Sequence, residues 1–340
     1  MWITTLGSHC ALQVLKGAKD EGFMTAVVTE RRREGLYRRF GFIDDFVVVD
    51  RFGDVAKPDL QAALRERGAV MVPHGTLVSE VGVDTVEGGL DVPIFGNRRM
   101  LRWESDRNLK EKLMKEAGIR LPRSFATPEE MDGLCIVKLH GARGGLGYFL
   151  ADGPGPYRRK REELEAKGLL GRDAQVFIQE YVVGVPAYLH YFYSPLHRRL
   201  EFLGAEKRYE TTVDGIGRVP SSLQGELSPS YVVVGNIPLV LRESLLEDVY
   251  RMGEDFVRAS QRLVPPGSIG PFCLEGVYDA EARFVAFEFS ARIVAGTNLY
   301  VNGSPYSALT YGGEQVSMGR RIAMEVKEAQ ASGSLDGVLT

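Results

Sequence analysis

At 340 residues the chain is too long for one compact core, so two or three packed units are expected. Lys and Arg sum to 42 against 45 Asp and Glu, a net charge of -3, which supplies no basic field for nucleic acid or an anionic membrane and leaves small molecules as the expected partners. Cys10, Cys135 and Cys273 are scattered without metal-ligand spacing, and this odd count argues against a secreted disulfide framework and for a reducing cytoplasm.

The chain opens with a short apolar run to Leu6, the turn GSH at 7–9, and a helical pattern through Lys19 that puts Ala11, Leu12, Leu15 and Ala18 on one face, with Ser8 as the expected N-cap. TAVVT (25–29), DFVVVD (45–50), a helix from Pro58 to Arg67 and AVMVPHGT (69–76) then alternate as parallel α/β units do. Residues 1–96 therefore read as a doubly wound unit. Ligands bind such sheets at the carboxyl ends of strands, where GSH and PHGT (73–76) both fall. A charged helix is expected from Trp103 with Gly118 as its stop. From Leu134 to Val183 the pattern is strand, glycine turn, strand, charged helix and the strand QVFIQEYVVG, which reads as a small lid. The rest is mostly strands, with one helix from Arg242 to Gln261 whose Leu245, Leu246, Val249, Met252, Phe256 and Val257 make a stripe to be buried. The tail EAQASGSLDGVLT is polar enough to fray.

Lys138 ends an apolar run just before the loop HGARGGLG. An ammonium there neutralises phosphate charge while the backbone amides of Gly144 and Gly145 approach phosphate oxygens, with Arg143 as a second cation. The same residues also suit an ordinary hairpin whose turn needs positive φ. Glu275 and Glu288 stand on two expected strands among apolar residues, and two carboxylates on neighbouring strands suit magnesium, which takes a few carboxylates with phosphate oxygens and water. Two exposed glutamates on a solvated sheet face are the plain alternative. Arg292, four positions beyond Glu288, offers a cation to a transferring phosphate. His9 and His74 lie in the strand-end loops, His190 alternates with aromatics as a packed residue does, and His197 reads as a surface turn residue.

In order along the chain, Lys138, the glycine loop, IQEYVVG and the Glu275 and Glu288 pair resemble the ATP-grasp superfamily, with Ser290 standing where its E-x-N-x-R pattern has asparagine. GSHCALQVLKGAKDEGF, VPHGT, NRRMLRWESDR, IQEYVVGVPAYLHYFYSPL, RYETTVDGIGR, VVVGNIPLVLRESLL and FEFSARIVAGTN resemble, more narrowly, the archaeal FAICAR synthetase family over nearly the whole chain. That resemblance implies an α/β fold, α+β in the C-terminal part, with ATP-grasp architecture: a doubly wound domain at 1–96 and an ATP-grasp domain at 97–340 carrying a lid at about 120–183. It implies ATP- and formate-dependent formylation of AICAR to FAICAR, with ADP and phosphate released, through formyl phosphate. His9, Thr76 and Asn236 are then expected at AICAR, Glu180, Tyr181, Val182, Val183 and Glu210 at ATP with Lys138, Arg143, Gly144 and Gly145, and Glu275 and Glu288 at Mg2+ or Mn2+. Lys138, Arg292 and His9 are the expected catalytic groups, His9 as base or orienting group. A cytoplasmic homo-oligomer is expected. The competing readings are a ligase of the same superfamily with another carboxylate or amine and a nucleotide-binding regulator. A dehydrogenase is disfavoured because residues 7–22 lack G-x-G-x-x-G.

Overall fold

The computed structural model describes every residue except Gly144, Gly145, Arg172, Glu226, Ser228 and Pro229, together with the chain at 140–147 but not its side chains. Three sheets follow one another. The first is parallel, in the order β3-β2-β1-β4, built from β1 (Trp2–Leu6), β2 (Met24–Glu30), β3 (Asp45–Val49) and β4 (Ala69–Met71). Its central strands read as apolar runs because helices cover both faces. The helix Ala11–Asp20 starts without the expected cap: Cys10 holds the N-cap position, and the Ser8 hydroxyl instead meets His9 Nδ1 at 3.1 Å.

The second sheet is antiparallel, in the order β5-β8-β6-β7, from β5 (Ser124–Phe125), β6 (Cys135–Arg143), β7 (Leu146–Ala151) and β8 (Val176–Glu180). The helix Pro154–Ala166 closes over it through Tyr157, giving a small core of its own with Val137, Phe149 and Ile178. The third sheet, β11-β10-β9-β12-β13, comprises β9 (Val185–Ser194), β10 (Arg199–Glu210), β11 (Val233–Leu239), β12 (Gly270–Tyr278) and β13 (Phe284–Ser290), all antiparallel. Tyr191, Phe202, Phe272 and Phe289 point to one face and pack on the helix Leu246–Leu263, with Tyr191 stacked on Phe272 at 4.9 Å and Phe256 on Phe272 at 4.8 Å. Strand alternation then forces Tyr188, Glu275 and Glu288 onto the opposite face.

Two further expectations need correction. The helix expected from Trp103 is two helices, Arg98–Ser105 and Arg107–Glu116, because Asp106 leaves helical geometry and its carboxylate accepts the N–H groups of Asn108 (2.9 Å) and Leu109 (3.0 Å). Asn236, expected at AICAR, lies in the edge strand β11, where Pro238 costs no ladder bond on the solvent side. The tail does not fray. Val338 is fully buried, and Thr340 exchanges backbone bonds of 2.9 Å in both directions with Ile94.

The first unit is locked to the rest by close backbone contact. The helix Ala11–Asp20 crosses the helix Met318–Ser332 so tightly that a Cβ on Gly17 would overlap the Arg320 backbone, and one on Gly319 the Gln13 backbone. Buried Gln13 completes the joint, accepting from Gly319 N and Thr297 Oγ1 at 3.2 Å each and donating to the Thr297 carbonyl. Among the described residues no helix is long and apolar enough to cross a membrane.

Candidate active site

The face of the third sheet opposite the helix Leu246–Leu263 carries a cross-strand row: Glu206 on β10, Tyr188 on β9, Glu275 on β12 and Glu288 on β13, each directly opposite the next. Glu275 is buried and braced from both sides, accepting from Arg208 Nη2 at 2.8 Å and Ser290 Oγ at 2.7 Å. The serine that departs from the superfamily pattern thus orients the first carboxylate. Arg208 lies flat over the Tyr188 ring, 3.8 Å from its centroid, a stacked placement that lysine could not copy. Glu288, half-buried, pairs with Lys110. Burial pushes the Glu288 carboxyl up, but Lys110, Lys138 and Arg208 outweigh it and hold the group well below the usual carboxylate range.

Lys138 donates to Gln179 Oε1 at 3.0 Å and faces the Phe287 ring. Burial lowers its ammonium to about 8, with Arg107 and Lys110 adding to the fall and Glu288 opposing it. Three cations, Arg107, Lys110 and Lys138, therefore gather beside one carboxylate. Sequence reasoning missed Arg107 and Lys110. A signal was present: both lie in the first turn or so of a helix, where cations oppose the macrodipole and are retained for some other purpose.

A second group forms where the first sheet meets β13. An isolated parallel bridge between His74 and Ile293 sets the loop 73–76 beside Arg292. His74 donates from Nε2 to the Leu6 carbonyl (2.8 Å) and accepts from Thr76 N at Nδ1 (3.2 Å), which fixes its tautomer. His9, in left-handed conformation at φ 47°, stacks on His74 with centroids 5.3 Å apart and meets Thr76 Oγ1 through Nδ1 at 2.8 Å. Burial, then Arg292 and Arg33, depress the His9 imidazole to about 4, so it is neutral near pH 7. A Cβ on Gly75 would lie 3.1 Å from His9 Nε2 and 3.5 Å from Arg292 Nη2, which shows how closely these groups crowd one point. The Arg292 guanidinium is held by Glu104 at 3.0 and 2.9 Å, where its charge acts on both Glu275 and His9.

The turn Ala295–Tyr300 bridges the two groups. Asn298 donates to the His9 carbonyl at 3.0 Å, and Gly296 abuts Glu206 so closely that a Cβ would overlap its carboxylate. Glu206 accepts from Asn236 Nδ2 at 2.5 Å, and burial raises its carboxyl to about 7 against the opposing influence of Asn236 and Arg208. Glu206 was not singled out from sequence, since a glutamate in a strand gives no warning that a glycine ninety residues later will cover it. The expected adenine segment, Glu180 to Val183, runs out of β8 into the link before β9, with Val183 exposed. The Glu180 carboxylate is taken by Arg123 at 3.2 Å, leaving backbone groups there as the available contacts. Glu210 follows a bulge at the end of β10 and is raised by burial first and then by Asp214. Its charge reaches Tyr231, whose neighbours include Tyr181, so Glu210 and the link share one end of the cleft. Gly144, Gly145 and the Arg143 side chain lie outside the described residues.

Among the described residues no cluster of three or more His, Cys, Asp or Glu forms a complete metal site. The donor set of Glu275 and Glu288 nonetheless fits a hard cation that draws its remaining ligands from phosphate oxygens and water.

The same arrangement of sheets occurs in the biotin carboxylase domain of 2-oxoglutarate carboxylase from Hydrogenobacter thermophilus, with a TM-score of 0.66 at 15% identity over 95% of this chain and 69% of that one. The fold is thus that of the ATP-grasp class. A family model described as "Domain of unknown function (DUF1297)" matches residues 156–340, and one described as "Protein of unknown function (DUF1246)" matches 3–125. An IMP biosynthesis protein, PurP, from Thermococcus kodakaraensis has a TM-score of 0.80 and 33% identity over 99% of this chain and 100% of its own. A protein of Cenarchaeum symbiosum (strain A) named 5-formaminoimidazole-4-carboxamide-1-(beta)-D-ribofuranosyl 5'-monophosphate synthetase is 56% identical over 340 residues, 99% of each chain. The chain belongs to this synthetase family.

Proposed function

We propose that the protein is an ATP-dependent carbon-nitrogen ligase that formylates 5-aminoimidazole-4-carboxamide ribonucleotide (AICAR) with formate, releasing ADP and phosphate on the route to IMP. The observation that carries this reading is the opposed pair Glu275 and Glu288 with Arg107, Lys110 and Lys138 gathered beside it, in a chain of this family. Charge spreads over the γ-phosphoryl group as it moves to formate, and fixed cations in a poorly hydrated cleft stabilise it more than covalent chemistry could. Glu275 and Glu288 hold Mg2+ or Mn2+, which when bound screens the triphosphate and lines it up for transfer. Arg208, fixed between Tyr188 and Glu275, offers its remaining donors to the small carboxylate. Formyl phosphate then faces the 5-amino group of AICAR, which His9, Thr76 and Asn236 orient from the other side. A neutral His9 does not repel the developing ammonium, and its ring offers one nitrogen as acceptor.

The acyl phosphate must be kept from water, a task for the second sheet, which acts as a lid at about 120–183 within the domain 97–340, beside the domain 1–96. The adenine rests on the backbone of 180–183 with Glu210 beside it. The test is phosphate release from ATP with magnesium and formate, with and without AICAR, alongside mass detection of the product. Release that needs both substrates, yields the formylated ribotide and stops with a chelator supports the reading; phosphate release without that product assigns another substrate.

A further inference from the structure

The amide of Asn236 is held in one orientation. Asn236 Nδ2 donates to Glu206 Oε2 at 2.5 Å, and once Glu206 is ionised its carboxylate can only accept, so the contact must then be made by the amide NH2 group. That leaves Oδ1, which has no partner among the described residues, as the Asn236 atom available to a ligand. Glu206 has little freedom to yield: it is 1% exposed, is covered by Gly296, and lies on the same face as Arg208 two residues along β10. An acceptor fixed in this way favours a ligand group that carries N–H and disfavours one that carries only lone pairs.

We infer that Glu206 is a positioning residue that sets the direction of the Asn236 amide and thereby selects a ribotide bearing a carboxamide over one bearing a carboxylate at the same ring position. This rests on the proposed placement of AICAR against Asn236 and adds to it a source of specificity. The two ribotides differ only in NH2 against O−, so shape alone separates them poorly. An amide locked with its oxygen forward attracts the first and repels the second.

The experiment compares AICAR with 5-aminoimidazole-4-carboxylate ribonucleotide at pH 8, where Glu206 is ionised. For each, kcat/KM is measured with ATP, magnesium and formate, or an inhibition constant where turnover of the carboxylate is too slow. The variants are Glu206→Gln, whose amide can pair with Asn236 in either orientation, Asn236→Ala, and the double variant. Glu206→Gln is expected to lower the preference for AICAR at least tenfold, through KM more than kcat, and to cause no further change once Asn236 is alanine. Gly296→Ala, whose methyl group displaces the same carboxylate, is a second route to that loss should Glu206→Gln fold poorly. An unchanged preference in Glu206→Gln overturns the inference. So does an equal effect with and without Asn236, because Glu206 would then contact the ligand itself. Absence of formylated product from the unmodified protein refutes instead the proposed function.

Discussion

Replacing His190 with leucine should make the protein more resistant to acid. His190 is 1% exposed on β9, opposite Gly204 and Cys273, and neither ring nitrogen has a partner among the described residues. Burial, with Arg208 adding to it, depresses its imidazole to about 3, whereas an unfolded histidine titrates near 6.5. As pH falls from 7.5 to 5.0, only the unfolded chain takes up this proton, so stability declines through that window. At about 1.4 kcal/mol per pH unit over the roughly 1.5 units below 6.5, the cost at pH 5.0 is about 2 kcal/mol. The leucine variant escapes it. It also removes two unsatisfied polar atoms, so at pH 7.5 it should be equal to the parent or up to about 2 kcal/mol more stable. Urea unfolding at both pH values measures this, and other groups such as Glu206, which shifts the opposite way, cancel in the difference between the two proteins. Curves that fall in parallel from pH 7.5 to 5.0 would show that folded His190 accepts a proton, and the argument from a dry, unpartnered ring would fail.

Glu288→Gln should lower formyl transfer on the order of a hundredfold or more while AICAR affinity, read by calorimetry, changes little, because the carboxylate pair and the His9 group are separate; equal losses would place both in one site. His9→Ala should raise KM for AICAR and leave ATP binding intact, and unaltered AICAR kinetics would remove His9 from the ribotide. Asp106→Ala should cost about 1 kcal/mol through loss of the cap on the helix Arg107–Glu116, and because that helix carries Arg107 and Lys110, KM for ATP should rise as well; a stability loss with no change in KM would separate the cap from the cations.

The parallel start of the chain was legible because buried parallel strands are apolar throughout and alternate with helices, and the two carboxylate strands because Glu275 and Glu288 interrupt apolar runs at the right parity. What was not legible depends on contacts distant in sequence. Residue 340 meeting residue 94 turns a polar tail into an ordered one, and the edge strand β11 holds Gly235 and Pro238, two poor strand formers. Arg292 was read as a cation for phosphate, but its anchor Glu104, in a helix almost two hundred residues earlier, could not be found from the motif that contains it. Ser290 shows a further limit: a substitution in a motif says that one contact is lost, and only the fold shows its hydroxyl bracing Glu275.

The glycine-to-glycine crossing of the first and last long helices has a mechanical consequence. Two helices in backbone contact have no layer of side chains to deform, so they resist both sliding and rolling, and Gln13 pins the same joint to the turn that holds His9. The wall carrying His9 and Thr76 is therefore a fixed jaw. On the proposed function, closure over the cleft then falls to the opposite side, where the sheet β5-β8-β6-β7 has a small core of its own.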